Sequence, residues 1–146
     1  MNIILALLVI FGGASYPVVQ QDCPACVSSY DGVFTEFAMA RDNGTVGLLA
    51  HDYLAGDALF ALEVGDTVEI VFTNDEQSYR ISSIWKAKAL SNSPYGKFQI
   101  GSESMTAQRL FEMVYTGKHH LVLQTCKGEY RMFYIAYPIV TREAKE

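Results

Sequence analysis

The sequence predicts a mainly β protein whose strands close into a barrel, with one or two short helices. Three observations support this fold class: several short segments are rich in β-branched and aromatic residues, turn-forming residues separate them, and only one segment has a clear helical pattern. The length of 146 residues and the 50% hydrophobic composition suit a single domain with a substantial core.

The first 22 residues are interpreted as a secretory signal or an N-terminal membrane anchor. Residues 3–11 form an unbroken apolar run, and the small residues after it suit cleavage behind Ala14. The run is too short to cross a bilayer as a helix, which needs about 20 residues. No Lys or Arg precedes it, so a non-cleaved interfacial anchor and a buried first strand stay open as alternatives. A signal or an anchor would place the domain outside the cytoplasmic membrane, secreted or held at its outer face.

Residues 23–30 are predicted to be a linker that carries the motif Cys23-Pro-Ala-Cys26. We expect a disulfide, because a redox Cys-x-x-Cys normally opens a helix and no helical pattern follows this one. A redox pair and half of a zinc site stay open as alternatives. A disulfide here would leave Cys126 as the odd, free thiol.

Residues 31–140 are predicted to form the barrel domain, and 141–146 a polar tail. Strands are expected at residues 33–39, 45–50, 67–73, 79–86, 120–126 and 131–137. A short helical turn is expected at 58–62, and a helix at 107–115, which Thr106 can cap and Gly117 ends. The segment 91–104, rich in Ser, Gly and Pro, is predicted to be a long loop.

The last two predicted strands form a hairpin that holds a thiol opposite a guanidinium. Residues 127–130 have about the length of a hairpin loop, which makes Cys126 and Arg131 cross-strand partners with Cβ atoms about 4.5–5.5 Å apart. A neighbouring cation increases the thiolate fraction of a cysteine, so this pairing predicts a nucleophile. Two plainer interpretations stay open: Cys126 as a small buried residue, and Arg131 as a surface ion-pair partner of Glu129.

A cysteine nucleophile needs an acid or base, and the chain offers three histidines. His120 shares a face with Cys126 but lies about 20 Å away along the strand, and both His119 and His120 are expected to be solvated. His51 lies where an apolar run ends and turn-forming residues begin, a place where functional residues are common. Asp52 either orients His51 or caps a turn.

These residues lie in motifs that resemble those of the sortases, the cysteine transpeptidases of bacterial surfaces. Leu48-Leu-Ala-His51-Asp-Tyr-Leu54, Leu123-Gln-Thr-Cys126 and Arg131-Met-Phe-Tyr-Ile-Ala136 follow one another in the family order, with Gly65-Asp-Thr-Val68 after the first. The resemblance covers about residues 31–138. It implies an eight-stranded barrel with mixed parallel and antiparallel pairing.

The resemblance also implies the chemistry. Cys126 would attack a peptide carbonyl and form a thioester, His51 would give and then take a proton, and Arg131 would stabilise the oxyanion. Gln124 and Thr125 would contact the substrate, a peptide sorting signal of the Leu-Pro-x-Thr-Gly kind, and an amine at the cell surface would accept the acyl group. Three alternatives stay open: a cysteine peptidase that releases the acyl group to water, a non-catalytic peptide- or carbohydrate-binding domain of the same fold, and a redox protein that uses Cys23 and Cys26.

Other partners are not expected. The net charge of −5 and the lack of a Lys/Arg cluster argue against a nucleic-acid surface, and no Gly-rich phosphate loop suggests a nucleotide cofactor. The carboxylates of Asp75, Glu76 and Glu103 could suggest calcium, but scattered carboxylates are usually solvated and a calcium site needs six or more oxygens. We therefore predict no metal, and membrane association only through the N-terminus.

Overall fold

The computed structural model describes residues 4–90 and 96–140, and β-strands make up about half of this part of the chain. In chain order the strands are Ala6–Phe11 (β1), Ala14–Gln20 (β2), Phe34–Glu36 (β3), Val46–Leu49 (β4), Thr67–Phe72 (β5), Glu76–Ala89 (β6), Lys97–Ile100 (β7), Glu103–Thr106 (β8), Leu121–Lys127 (β9) and Tyr130–Pro138 (β10). The helices are Ala38–Asp42 (α1), Ala107–Tyr115 (α2) and a 3-10 helix, Ala55–Ala61. The predicted polar tail lies outside the described residues.

Eight of the strands close into a barrel. Their order is β10-β9-β4-β3-β2-β1-β5-β6, and β6 pairs again with β10 to complete the circle. Two neighbouring pairs are parallel, β2 with β3 and β4 with β9. The predicted mainly β barrel of eight strands with mixed pairing is therefore confirmed.

The described part of the N-terminal segment forms part of this barrel, in keeping with the alternative of a buried first strand, and a role of this segment in export or anchoring stays a prediction. Strand β1 pairs with β2 on one side and with β5 on the other, and its side chains Ala6, Val9 and Phe11 are buried in the barrel. The glycines that suggested a cleavage site form the turn of the β1–β2 hairpin, with positive φ angles of 60° and 77° that favour glycine. The barrel domain thus includes residues before 31. No helix in the described ranges is both long and apolar enough to span a bilayer.

The predicted loop at 91–104 contains an additional hairpin instead. Residues 91–95 lie outside the described part, but β7 and β8 pair with each other, and β7 also pairs antiparallel with the end of β6. Phe98 and Met105 are cross-strand partners in this hairpin and both are buried. Each of these strands has only four residues, and the polar residues between Phe98 and Met105 gave the sequence no clear strand pattern.

Helix α2, whose cap could be read from the sequence, agrees most closely with the prediction. Helix α2 has the predicted limits, and the Thr106 Oγ1 accepts a hydrogen bond from the Arg109 amide at 3.1 Å. The 3-10 helix begins three residues before the predicted turn at 58–62. The predicted strand at 33–39 ends at Glu36, and α1 follows it.

The barrel wall separates two apolar clusters. The inner cluster fills the barrel and includes the alternate β9 residues Leu121 and Leu123. The outer cluster lies between the wall, α2 and β7, and includes Val122 together with Phe98 and Val114. Each buried side chain of this size contributes about 1.5–3 kcal/mol. Because side chains alternate along a strand, Gln124 and Cys126 share the outer face with Val122.

The Cys-x-x-Cys motif lies in the loop between β2 and β3. Cys23 and Cys26 are joined by a disulfide with Cα atoms 5.1 Å apart, as the sequence analysis expects. The Gln21 amide group donates hydrogen bonds to the carbonyls of Pro24 and Cys26, at 3.1 and 3.3 Å, and so holds the loop against the end of β2. Cys126 is the free cysteine.

Candidate active site

The sheet brings Cys126 and Arg131 to directly opposite positions. The β9–β10 register pairs these two residues, so the predicted cross-strand partnership is confirmed. The hairpin loop is shorter than predicted, since Lys127 and Tyr130 also pair and leave a turn of two residues. Gly128 occupies the first of these positions with φ of 63°, the backbone conformation that a tight two-residue turn requires. The Cys126 thiol is exposed at this end of the barrel.

The parallel pairing of β4 with β9 places His51 at the same level of the barrel. Leu49 is paired with Gln124, and the Ala50 amide donates to the Gln124 carbonyl at 3.2 Å. Continuing this register by two residues puts His51 opposite Cys126, and neighbouring strands lie about 4.8 Å apart. We use the term row for His51, Cys126 and Arg131: Cys126 and Arg131 are paired across β9 and β10, and the extended register of β4 points His51, two residues past the end of that strand, toward Cys126 on the outer face of the barrel.

The segment after β4 is folded tightly around the His51 backbone. The His51 carbonyl accepts hydrogen bonds from the amides of Leu54 and Gly56, both at 3.0 Å. A Cβ atom on Gly56 would lie 2.6 Å from this carbonyl oxygen and would also collide with the Thr125 hydroxyl, so only glycine fits. Asp52 lies in the turn. Both Asp52 and His51 are among the described residues, and no hydrogen bond links the Asp52 carboxylate to the His51 ring.

Thr125 supports this turn from inside the barrel. Its side chain is 2% exposed, and its hydroxyl donates to the Ala50 carbonyl at 2.8 Å. The side chain thus points away from the face of Cys126 and its hydroxyl is already used, while the substrate contact of Thr125 stays a prediction. Through Ala50 it ties β9 to the residue immediately before His51.

Gln124 lies on the outer face, two residues before Cys126. Its side-chain oxygen accepts a hydrogen bond from the Tyr115 hydroxyl at 2.6 Å. Burial raises the pKa of Tyr115 far above its ordinary value, and the positive charge of Arg131 opposes part of that rise. Tyr115 therefore stays a neutral donor and fixes Gln124 beside the row.

The Arg131 guanidinium is held by an aromatic ring. Its central carbon lies 4.9 Å from the ring centroid of Phe98, which the β7–β8 hairpin supplies. Glu129 pairs with Lys88 instead, at 3.6 Å, and within residues 4–90 and 96–140 no carboxylate lies within ion-pair distance of Arg131. The interpretation of Arg131 as an ion-pair partner of Glu129 is thus wrong, and its hydrogen-bond donors are not occupied by a carboxylate there.

The other two histidines lie at the opposite end of β9, and one of them corrects the expectation that both are solvated. His120 is 3% exposed, and its ring nitrogens lie 2.7 and 2.6 Å from the carbonyl oxygens of Lys118 and Val114. His119 is exposed, and its ring bonds the Gly44 carbonyl and the Tyr79 hydroxyl. Both rings therefore tie the start of β9 to its neighbours.

A cavity of about 280 Å³ lies at this opposite end of the barrel, lined by His119, Tyr79 and Glu36 among others. Glu36 is 1% exposed, and one of its carboxylate oxygens accepts from the Ala6 amide and the Gln20 side chain and pairs with Arg41. The cavity is thus separated from the row by the length of β9. In the described ranges no three His, Cys, Asp or Glu side chains are arranged to hold a metal ion.

Comparison with known proteins finds similarity in structure rather than in sequence. No protein-family model and no curated protein matches the chain. Sortase C1 from Streptococcus suis has a TM-score of 0.67 and 14% identity, over 97% of this chain and 76% of that one. A sortase C from Clostridium perfringens with the C-terminal cell wall sorting motif has a TM-score of 0.63 and 10% identity, over 92% of this chain and 70% of that one. Streptococcus agalactiae sortase C1 in complex with MTSET has a TM-score of 0.61 and 14% identity, over 94% of this chain and 70% of that one. The protein therefore has a sortase-like fold.

Proposed function

We propose that the protein is a cysteine transpeptidase of the sortase type, with Cys126 as nucleophile, His51 as acid and base, and Arg131 as the oxyanion donor. The observation that carries this proposal is the pairing of Cys126 with Arg131 across β9 and β10, on a barrel of sortase-like fold. The β4–β9 register supports the part of His51, because its extension by two residues leads to Cys126. An exposed thiol, an imidazole and a guanidinium without a carboxylate partner among the described residues are the groups that acyl transfer through a thioester needs.

In the first half of the reaction the Cys126 sulfur attacks the carbonyl carbon of a peptide bond. The new S–C bond forms as the C–N bond breaks, and the protonated His51 ring gives its proton to the departing amine. The products are an amine and a thioester on Cys126. The carbonyl oxygen is negatively charged between these two states, and the Arg131 fork can donate hydrogen bonds to it.

In the second half an acceptor amine attacks the thioester. It loses a proton to the neutral His51 ring, the C–S bond breaks, and the Cys126 thiolate is restored. One proton thus moves from His51 to the first amine and returns from the second.

The substrate is inferred by analogy. Because the C. perfringens sortase C was solved with a C-terminal cell wall sorting motif, we propose a sorting-signal peptide for this chain as well. Such a peptide would lie across the exposed end of β9, past Gln124, with its scissile carbonyl at Cys126. The acceptor would be an amine at the bacterial surface, which places the domain outside the cytoplasmic membrane.

The test combines a pool of Leu-Pro-x-Thr-Gly peptides, triglycine as acceptor and intact-mass detection. The wild type should form a peptide adduct that Cys126→Ala lacks, and triglycine should convert it to ligated product. His51→Ala should slow adduct formation about 10²–10⁴-fold, and Arg131→Lys about 10²–10³-fold. His119→Ala is the matched control, since this ring lies at the other end of β9, and it should react normally.

Two results would overturn the proposal. Either no peptide in the pool forms an adduct, or adducts form at wild-type rates without His51 or Arg131. If the adduct forms but resolves only to free acid when triglycine is present, the protein is a cysteine peptidase and the transfer step is wrong.

A further inference from the structure

An exposed aromatic ring lies flat against the His51 side chain. The ring centroids of Tyr53 and His51 are 5.1 Å apart and the ring planes differ by 20°, which is a stacked pair. Tyr53 is 72% exposed, so the barrel core does not hold it in place. An exposed tyrosine is normally free to leave such a position, and here its ring stacks on the imidazole.

The turn around the His51 carbonyl explains why the two rings meet. The amides of Leu54 and Gly56 both bond this carbonyl, which folds the chain back over His51 within three to five residues. The absent side chain of Gly56 lets the turn close directly on Thr125 and the His51 backbone. The turn therefore holds the Tyr53 backbone beside His51, so that one ring face meets the imidazole while the rest of the side chain is exposed.

We infer that Tyr53 is the positioning residue for His51, and this rests on the proposed function. The turn fixes the His51 backbone, but rotation about the side-chain bonds would still let the ring leave the row. Stacking on Tyr53 covers one face of the imidazole and restricts this rotation. The ring nitrogens lie at its edge and stay available to the thiol and to the departing amine.

The neighbouring residues do not supply this restraint. Asp52 makes no hydrogen bond to the His51 ring, although a carboxylate is the usual partner that orients a catalytic histidine. A stacked aromatic pair contributes a modest free energy, so its loss should reduce the His51-dependent rate about two- to tenfold. Because only the ring face is used, the Tyr53 hydroxyl should be dispensable.

The experiment measures the rate of Cys126 alkylation by iodoacetamide across pH. Cys126 is the free cysteine and the other two form a disulfide, so the signal comes from one residue. The compared proteins are the wild type, His51→Ala, Tyr53→Ala, Tyr53→Phe and the double variant His51→Ala/Tyr53→Ala. Tyr30→Ala is the matched control, since Tyr30 is 76% exposed in a different loop.

We expect Tyr53→Ala to change the rate of Cys126 alkylation about two- to tenfold, in the same direction as His51→Ala does. Tyr53→Phe and Tyr30→Ala should behave as the wild type. The double variant should match His51→Ala alone, because Tyr53 acts only through the imidazole. NMR should agree: the His51 ring protons should lose their upfield ring-current shift in Tyr53→Ala and keep it in Tyr53→Phe.

The outcomes separate this inference from the proposed function. If His51→Ala itself leaves the alkylation profile unchanged, His51 does not act on the thiol and the proposed function fails. If His51→Ala changes the profile and Tyr53→Ala does not, only the positioning role is refuted. A Tyr53→Ala effect that persists without His51 would also refute it, since Tyr53 would then act on Cys126 directly.

Discussion

Replacing Thr125 by Val removes one hydroxyl group and keeps the shape of the side chain. The hydroxyl donates to the Ala50 carbonyl at 2.8 Å, and both residues are buried. A buried carbonyl that loses its partner costs about 1–3 kcal/mol. For a chain of this length, that lowers the Tm by about 2–12 °C. Since Ala50 precedes His51, the same change should also loosen the row.

The assay is urea unfolding of the wild type, Thr125→Val and Thr125→Ser. Thr125→Ser keeps the donor and loses one buried methyl group, which costs about 1 kcal/mol. The midpoint should fall most for Thr125→Val, with equal slopes showing that the unfolding transition itself is unchanged. Wild-type stability of Thr125→Val would refute the reasoning. It would then favour the original expectation that Thr125 contacts substrate, above all if KM rose at the same time.

Three further changes test other parts of the structure. Gly56→Ala should cost about 1–3 kcal/mol by overpacking against the His51 carbonyl, and unchanged urea unfolding would contradict that close approach. His120→Phe should lower the unfolding free energy by about 1–3 kcal/mol, because it removes the ring N–H that bonds a buried carbonyl, measured by thermal unfolding with the exposed Tyr30→Ala as control. Equal Tm values for the two variants would contradict this role. Deletion of residues 1–13 should abolish cooperative unfolding because it removes β1; a folded, cooperative truncated protein in circular dichroism would show that the hairpin is dispensable.

The prediction of the hairpin was successful because its information is local. The two-residue period of a strand decides that Cys126 faces the same side as Val122, and a short turn then fixes Arg131 as its partner. Few other registers bury the apolar residues of both strands. The same locality explains helix α2, where Thr106 and the spacing of Leu110 and Val114 define the start and the buried face.

The N-terminal segment could not be resolved in this way. A short apolar run has the same composition whether it is the centre of a signal sequence or a strand buried in a barrel. The distinction depends on β5, which lies some 60 residues later and pairs with Val9 and Ile10 through Ile70 and Glu69. The composition of the segment alone therefore does not reveal this pairing.

The candidate site was predicted by residue type, and its supporting contacts were not. Cysteine, histidine and arginine are informative because few other residues perform their chemistry, so their order along the chain points to a reaction. Phe98 and Tyr53 are ordinary aromatic residues in sequence, and their contacts with Arg131 and His51 arise from a hairpin and a turn. Both contacts use a ring face and leave the polar edge of the partner available. In the proposed mechanism, stacking rather than ion pairing would orient Arg131 and His51, and it would restrict their motion without occupying the donors that the reaction needs.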